Sequence, residues 1–121
     1  MCLTNNKLET VPTPNHNVYQ NKLQELYLSS NLLDDDVVPK IIMFQKLKVL
    51  HLAYNRITEI HDRDLRKLEN LQELNISGNF LRHLPRCVGR HSKLQALRSN
   101  ANLLKELPDF RYSPNLKVIY Y

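Results

Sequence analysis

Asparagine returns at positions 6, 31, 55, 79 and 102, at steps of 23 to 25 residues, and each copy holds the same place in a frame of leucines. The clearest copy reads Leu47-x-x-Leu50-x-Leu52-x-x-Asn55-x-Ile57. Leu23-x-x-Leu26-x-Leu28-x-x-Asn31-x-Leu33 and Leu71-x-x-Leu74-x-Ile76-x-x-Asn79-x-Leu81 match it at every fixed position. Such a unit is too short to bury an apolar face by itself. It gains a core only by stacking on its neighbours, which restricts the chain to a quasi-one-dimensional architecture.

The period and the eleven-residue frame are those of a leucine-rich repeat. The predicted fold is an α/β solenoid with a curved parallel sheet on its concave side and short helices or turns on its convex side. Residues 1–121 form one domain fragment of four to five repeats, above the minimum of about three that stability requires. A fourth copy, Leu94-x-x-Leu97-x-Ser99-x-x-Asn102-x-Leu104, places Ser99 where an inward leucine belongs and is expected to pack less well. Partial copies, Leu3-x-x-Asn6-x-Leu8 and Leu116-x-x-Ile119-x-Tyr121, stand at the two ends and are read as an uncapped fragment.

Side chains on a strand alternate between faces, so the residues between the consensus leucines should line the concave sheet. They are Glu25, Tyr27, Ser29 and Ser30; Val49, His51, Ala53 and Tyr54; Glu73, Asn75, Ser77 and Gly78; Ala96, Arg98, Asn100 and Ala101; then Val118 and Tyr120. The asparagines, Asn6, Asn31, Asn55, Asn79 and Asn102, have a structural reading. A carboxamide both donates and accepts, so a stacked column of them can satisfy backbone groups freed where each strand turns away.

On the convex side, Ile60, Leu65 and Leu68, and likewise Leu84, Val88 and Leu94, supply an inner apolar spine. Asp34-Asp35-Asp36 ahead of Val37-Val38-Pro39 reads as a helix start, since aspartate caps a first turn and proline fits within it. Three consecutive carboxylates cannot all face one ion, so a metal site there is the weaker reading. Val11-Pro12, Leu84-Pro85 and Leu107-Pro108 share one frame position, where proline redirects the chain without needing a donor.

Charge is unevenly distributed. Residues 1–60 carry six basic and six acidic side chains, and residues 61–121 carry eleven basic and six acidic, so the net charge of +5 lies wholly in the second half. No acid falls between Glu73 and Glu106, an interval that holds Arg82, Arg86, Arg90, Lys93 and Arg98. Such a field attracts phosphate-rich partners, but no tyrosines interleave with it as a nucleic-acid stacking platform requires. It is read as a solvated basic face.

Other functional classes find little support. No apolar run approaches the roughly 20 residues of a membrane helix, and the amino end has no secretory core, so a cytoplasmic location is expected. Cys2 and Cys87 are not the paired cysteines of a disulfide cap. His16, His51, His61, His83 and His91 lack metal-site spacing, and two glycines, Gly78 and Gly89, make no phosphate loop. Asn75-Ile76-Ser77 spells a glycosylation acceptor but falls in a strand.

Three runs carry a family resemblance: Leu23-Gln24-Glu25-Leu26-Tyr27-Leu28, then Leu47-Lys48-Val49-Leu50-His51-Leu52-Ala53-Tyr54-Asn55-Arg56, then Ile76-Ser77-Gly78-Asn79. In this order and spacing they resemble the repeat region of the PH-domain and leucine-rich-repeat protein phosphatases. His51 and Ala53-Tyr54-Asn55-Arg56 are the specific part, since the repeat consensus does not dictate them. The resemblance spans most of residues 23 to 110. It implies a parent that joins a lipid-binding domain and these repeats to a PP2C-type serine/threonine phosphatase. Such phosphatases use two Mg²⁺ or Mn²⁺ ions and act on kinases such as Akt and protein kinase C. No metal-binding Asp-Gly-His or Gly-Asp stretch of that catalytic domain occurs here, so no catalytic residue and no cofactor is assigned to this chain.

The function expected is therefore a protein-interaction module in intracellular kinase signalling, with a kinase or signalling scaffold as partner. Tyr27, His51, Tyr54, Asn75 and Arg98 are the expected contacts on the concave face. A free-standing adaptor without an enzyme domain would use the same surface. A secreted or receptor-type repeat ectodomain would instead call for cysteine caps and a signal peptide.

Overall fold

The computed structural model describes residues 22–106, together with Cys2, Thr4, Asn115, Leu116 and the backbone of residues 118–120. Asn6 and the Val11-Pro12 and Leu107-Pro108 pairs lie outside the described residues. Each Leu-x-x-Leu-x-Leu run contributes one three-residue strand: β1 (Glu25–Tyr27), β2 (Val49–His51), β3 (Glu73–Asn75), β4 (Ala96–Arg98) and β5 (Val118–Tyr120). The five pair in parallel in chain order, as one sheet. Consensus positions align across every pair, with Leu26 opposite Leu50, Leu50 opposite Leu74, Leu74 opposite Leu97 and Leu97 opposite Ile119.

Those leucines form the floor of a single core. Leu26, Leu50, Leu74 and Leu97 are all buried, and so are the next inward rows, Leu28, Leu52 and Ile76, then Leu33, Ile57 and Leu81. Full burial of one such side chain stabilises by about 1.5–3 kcal/mol. Stacking thus supplies what an isolated repeat lacks. Ser99 occupies its inward position fully buried, and Leu104 of the same repeat only packs against the core from a partly buried position.

The convex side closes the core with short turns of helix. Asp34 accepts a hydrogen bond from the Asp36 amide at 3.0 Å and caps a 3₁₀ turn, Asp35–Val37. That turn runs into α1 (Val38–Ile41), where Pro39 sits in the first turn and needs no donor. The next repeat carries α2 (Asp62–Leu65), with Asp62 and Asp64 in its first turn and an Arg66–Asp62 ion pair at 2.7 Å. In the third, Pro85 precedes a 3₁₀ turn, Arg86–Arg90. Val37, Ile41, Phe44, Leu65, Leu68, Leu84 and Val88 turn inward from these segments.

The described asparagines bind repeats to one another. Asn55 donates from Nδ2 to the carbonyls of Leu52 at 3.0 Å and of Leu28, one repeat earlier, at 3.1 Å, while its Oδ1 accepts from the Leu33 amide at 3.1 Å. Asn79 does the same with Ile76, Leu52 and Ile57, and Asn102 with Ser99, Ile76 and Leu81. Asn31 donates to Leu28 and Ser29. Buried peptide groups at the strand exits are thereby satisfied, as low-dielectric burial demands.

Aspartate at the convex edge makes a comparable link that periodicity does not reveal. Asp35 accepts from the Thr58 amide at 2.6 Å, from the Thr58 hydroxyl and from the Glu59 amide at 3.2 Å, all in the following repeat. Asp62 likewise accepts from the Cys87 amide at 2.7 Å.

Candidate interaction site on the concave sheet

Strand register places Tyr27 beside His51, His51 beside Asn75, Asn75 beside Arg98 and Arg98 beside Tyr120. Four of the five residues expected to contact a partner therefore form one row across the sheet, spaced by about 4.8 Å per strand. A second row runs Glu25, Val49, Glu73 and Ala96.

The first three strands join the two rows. Tyr27 donates its phenol hydrogen to Glu25 Oε1 at 3.0 Å, and its ring meets His51 edge-on with centroids 4.8 Å apart. His51 Nε2 lies 3.0 Å from Glu73 Oε2. The chain of contacts Glu25–Tyr27–His51–Glu73 thus bends around the half-buried Val49, holding a carboxylate on each side of an apolar floor. Hydrogen bonding to Glu25, reinforced by desolvation and the nearby carboxylates, raises the Tyr27 pKa above its ordinary value. Two negative groups flanking an apolar and aromatic surface match a cationic side chain with an aliphatic stem. The repeat frame places Glu25 and Glu73 on this face but assigns them no role. Their ring partners become visible only once the register brings them together.

Asn75 and Arg98 continue the row. Asn75 is half-buried, and its Oδ1 accepts from the Ser77 amide at 3.1 Å, a local turn within β3's exit. Arg98 is exposed and gives the β4 end of the row a positive charge. The concave surface is therefore polar in sense, acidic over β1 to β3 and basic at β4.

Tyr54 does not belong to this row. It is 61% exposed and adopts φ 56°, as the residue before each described ladder asparagine does: Ser30 at 58°, Gly78 at 66° and Ala101 at 57°. The left-handed conformation costs an L-residue about 1–2 kcal/mol, and three of the four positions bear it without glycine. Two neighbours also depart from the expected exposure. Ala53 and Ser77 were expected to face outward, but both are buried. The strands end at His51 and Asn75, and the chain then curls into the left-handed turn, so period-two alternation no longer applies. Ser77 instead donates to Asn100 Oδ1 at 2.7 Å and the Ala53 amide donates to Ser29 Oγ at 3.2 Å, a second cross-repeat tie.

Among the histidines, His91 is a core element. It is buried, with Nε2 donating to the Leu68 carbonyl at 2.9 Å and Nδ1 accepting from the Lys93 and Leu94 amides, each at 3.2 Å. Those partners assign the proton to Nε2. Among the described residues, no three or more His, Cys, Asp or Glu side chains are grouped to hold a metal ion, and no helix is long and apolar enough to cross a membrane.

A solenoid with this sheet, this asparagine column and this concave row is a leucine-rich-repeat protein, and the family model for the leucine rich repeat matches residues 45–104. The repeats are similar to those of the PH domain leucine-rich repeat-containing protein phosphatase 1. The mouse protein is 35% identical over 115 residues, 94% of this chain, and the human protein 34% identical over the same share. The chain spans 7% of the length of each of these relatives. Shorter matches reach other repeat proteins, including Toll-like receptor 6 of Bos taurus, 47% identical over 60% of this chain and 9% of the receptor. Among solved structures, a leucine-rich-repeat protein of Leptospira interrogans superposes with a TM-score of 0.71 at 29% identity, covering 83% of this chain and 25% of that one.

Proposed function

We propose that the concave sheet binds protein partners in intracellular kinase signalling, as the repeat segment of a phosphatase of the PH-domain and leucine-rich-repeat type. In this reading the chain itself catalyses nothing. Metal-dependent hydrolysis with Mg²⁺ or Mn²⁺ belongs to a PP2C-type catalytic domain, and the repeats position a substrate kinase or scaffold in the cytoplasm. The observation that carries the reading is the single row Tyr27, His51, Asn75 and Arg98, whose first members form an ordered cluster with Glu25 and Glu73. Similarity to the phosphatase repeats over nearly the whole chain supports the choice of partner class.

The test is calorimetric titration of the chain with purified Akt and protein kinase C. Saturable binding that weakens by about tenfold or more, or 1.4 kcal/mol, in Tyr27→Ala and His51→Ala is the expected result. Absence of binding to both kinases would remove the kinase-signalling reading. Binding indifferent to both substitutions would remove the site.

A further inference from the structure

Away from the concave sheet, Phe80 and Leu103 follow the ladder asparagines of adjacent repeats and remain 52% and 53% exposed. Both line a groove of about 870 Å³ on the edge where the chain leaves the sheet for the convex side. Arg82 and Arg86 line the same groove, from the stretch that contains no acid. Among the described residues neither arginine lies within ion-pair distance of an acid, although the Arg86 charge helps to hold the Asp62 carboxyl below its ordinary pKa. The acids on the groove are Glu59, which is exposed and lies 3.7 Å from His61, and Asp62, which pairs with Arg66 and accepts from the Cys87 amide.

We infer that this groove is a second docking surface, separate from the concave row, and that its occupant is an acidic protein segment that inserts an apolar side chain between Phe80 and Leu103 and pairs its carboxylates with Arg82 and Arg86. Two apolar groups this exposed on adjacent repeats offer an anchor site. Arginine pairs bidentately with carboxylates, which supplies specificity. Glu59, exposed on the same groove, disfavours a uniformly anionic surface such as a lipid bilayer or nucleic acid. The groove accommodates a segment whose charge and apolar groups are placed in order.

The probe is a short fluorescein-labelled peptide of glutamate and leucine, titrated into the full chain by fluorescence anisotropy, beside a lysine-for-glutamate control and phosphatidylserine vesicles. The acidic peptide should bind, the control should not, and Phe80→Ala/Leu103→Ala and Arg82→Glu/Arg86→Glu should each weaken binding about tenfold or more. All four positions are solvent-exposed, and retained thermal unfolding of each variant confirms that the fold is kept. His51→Ala should bind the peptide as the parent chain does, so that a failure of the concave site leaves this result unaffected. Absent peptide binding, binding unchanged in both double variants, binding to vesicles alone, or loss in His51→Ala would each overturn the proposal.

Discussion

The ring of Tyr54 lies across the α-carbon of Gly78 in the next repeat, so close that a β-carbon on Gly78 would stand 2.4 Å from Tyr54 Cδ1 and 2.6 Å from Cε1. Gly78 also holds φ 66°. Two separate demands therefore fall on one glycine, a left-handed backbone and room for an aromatic ring.

Gly78→Ala is expected to destabilise the chain by about 1–3 kcal/mol, combining the conformational cost of the left-handed region with displacement of the ring. In a Tyr54→Ala background the steric part disappears and about 1 kcal/mol should remain. Urea unfolding of the single and double variants measures the coupling. Strict additivity would show that the ring does not press on this position.

Asn79→Ala removes the acceptor for the buried Ile57 amide and the donor to the Leu52 and Ile76 carbonyls. A loss of about 1–3 kcal/mol is predicted. Asn79→Asp should not rescue, because a carboxylate can accept from Ile57 but cannot donate to the two carbonyls. An aspartate variant as stable as the parent in chemical unfolding would contradict the ladder's two-way role.

Leu50→Ala empties a position that is 2% exposed. The expected cost is about 2–5 kcal/mol, read from the same unfolding curves. A neutral result would mean that the inward frame is misplaced.

Burial works against ionisation of Asp35, yet hydrogen bonds from Thr58 and Glu59 outweigh it and hold the carboxyl below its ordinary pKa. A folded-state pKa below the unfolded one adds stability that is present above the unfolded value and disappears as pH falls through the folded value. The stability gap between the parent and Asp35→Asn should therefore be open at neutral pH and shrink below about pH 4. Thermal unfolding across that interval measures it, and a gap independent of pH would exclude an ionised Asp35 from the link.

Desolvation, with the neighbouring Asp62, pushes the Cys87 thiol up to about 12. Cys2 is exposed, and hydrogen bonding with Thr4 lowers its pKa. At mildly alkaline pH a disulfide reagent should titrate one thiol in the folded chain and two after denaturation. Two fast thiols in the folded chain would show that the α2 edge does not shield Cys87.

The leucine frame made the sheet order and register legible, because every copy puts Leu26, Leu50, Leu74 and Leu97 at one phase and the period leaves one way to stack them. Asp34 was legible as a cap for a similar reason, since capping depends on a few adjacent residues. The burial of Ala53 and Ser77 was not, because period-two alternation stops where the backbone leaves the strand and turns left-handed at Tyr54 and Gly78. The Asp35–Thr58 link and the Tyr27–His51 ring contact depend on side-chain torsions in two repeats, which spacing alone leaves open. The row from Tyr27 to Arg98 followed from the frame, whereas the roles of Glu25 and Glu73 within it came from geometry.

The most direct test of the concave-sheet account replaces Tyr27, and separately Lys67 on the exposed convex side, with a photo-crosslinking benzophenone residue in cells, followed by mass spectrometry of the adducts. The account predicts protein adducts, kinases among them, from position 27 and none of the same proteins from position 67. Adducts formed from position 67 with position 27 silent would contradict it.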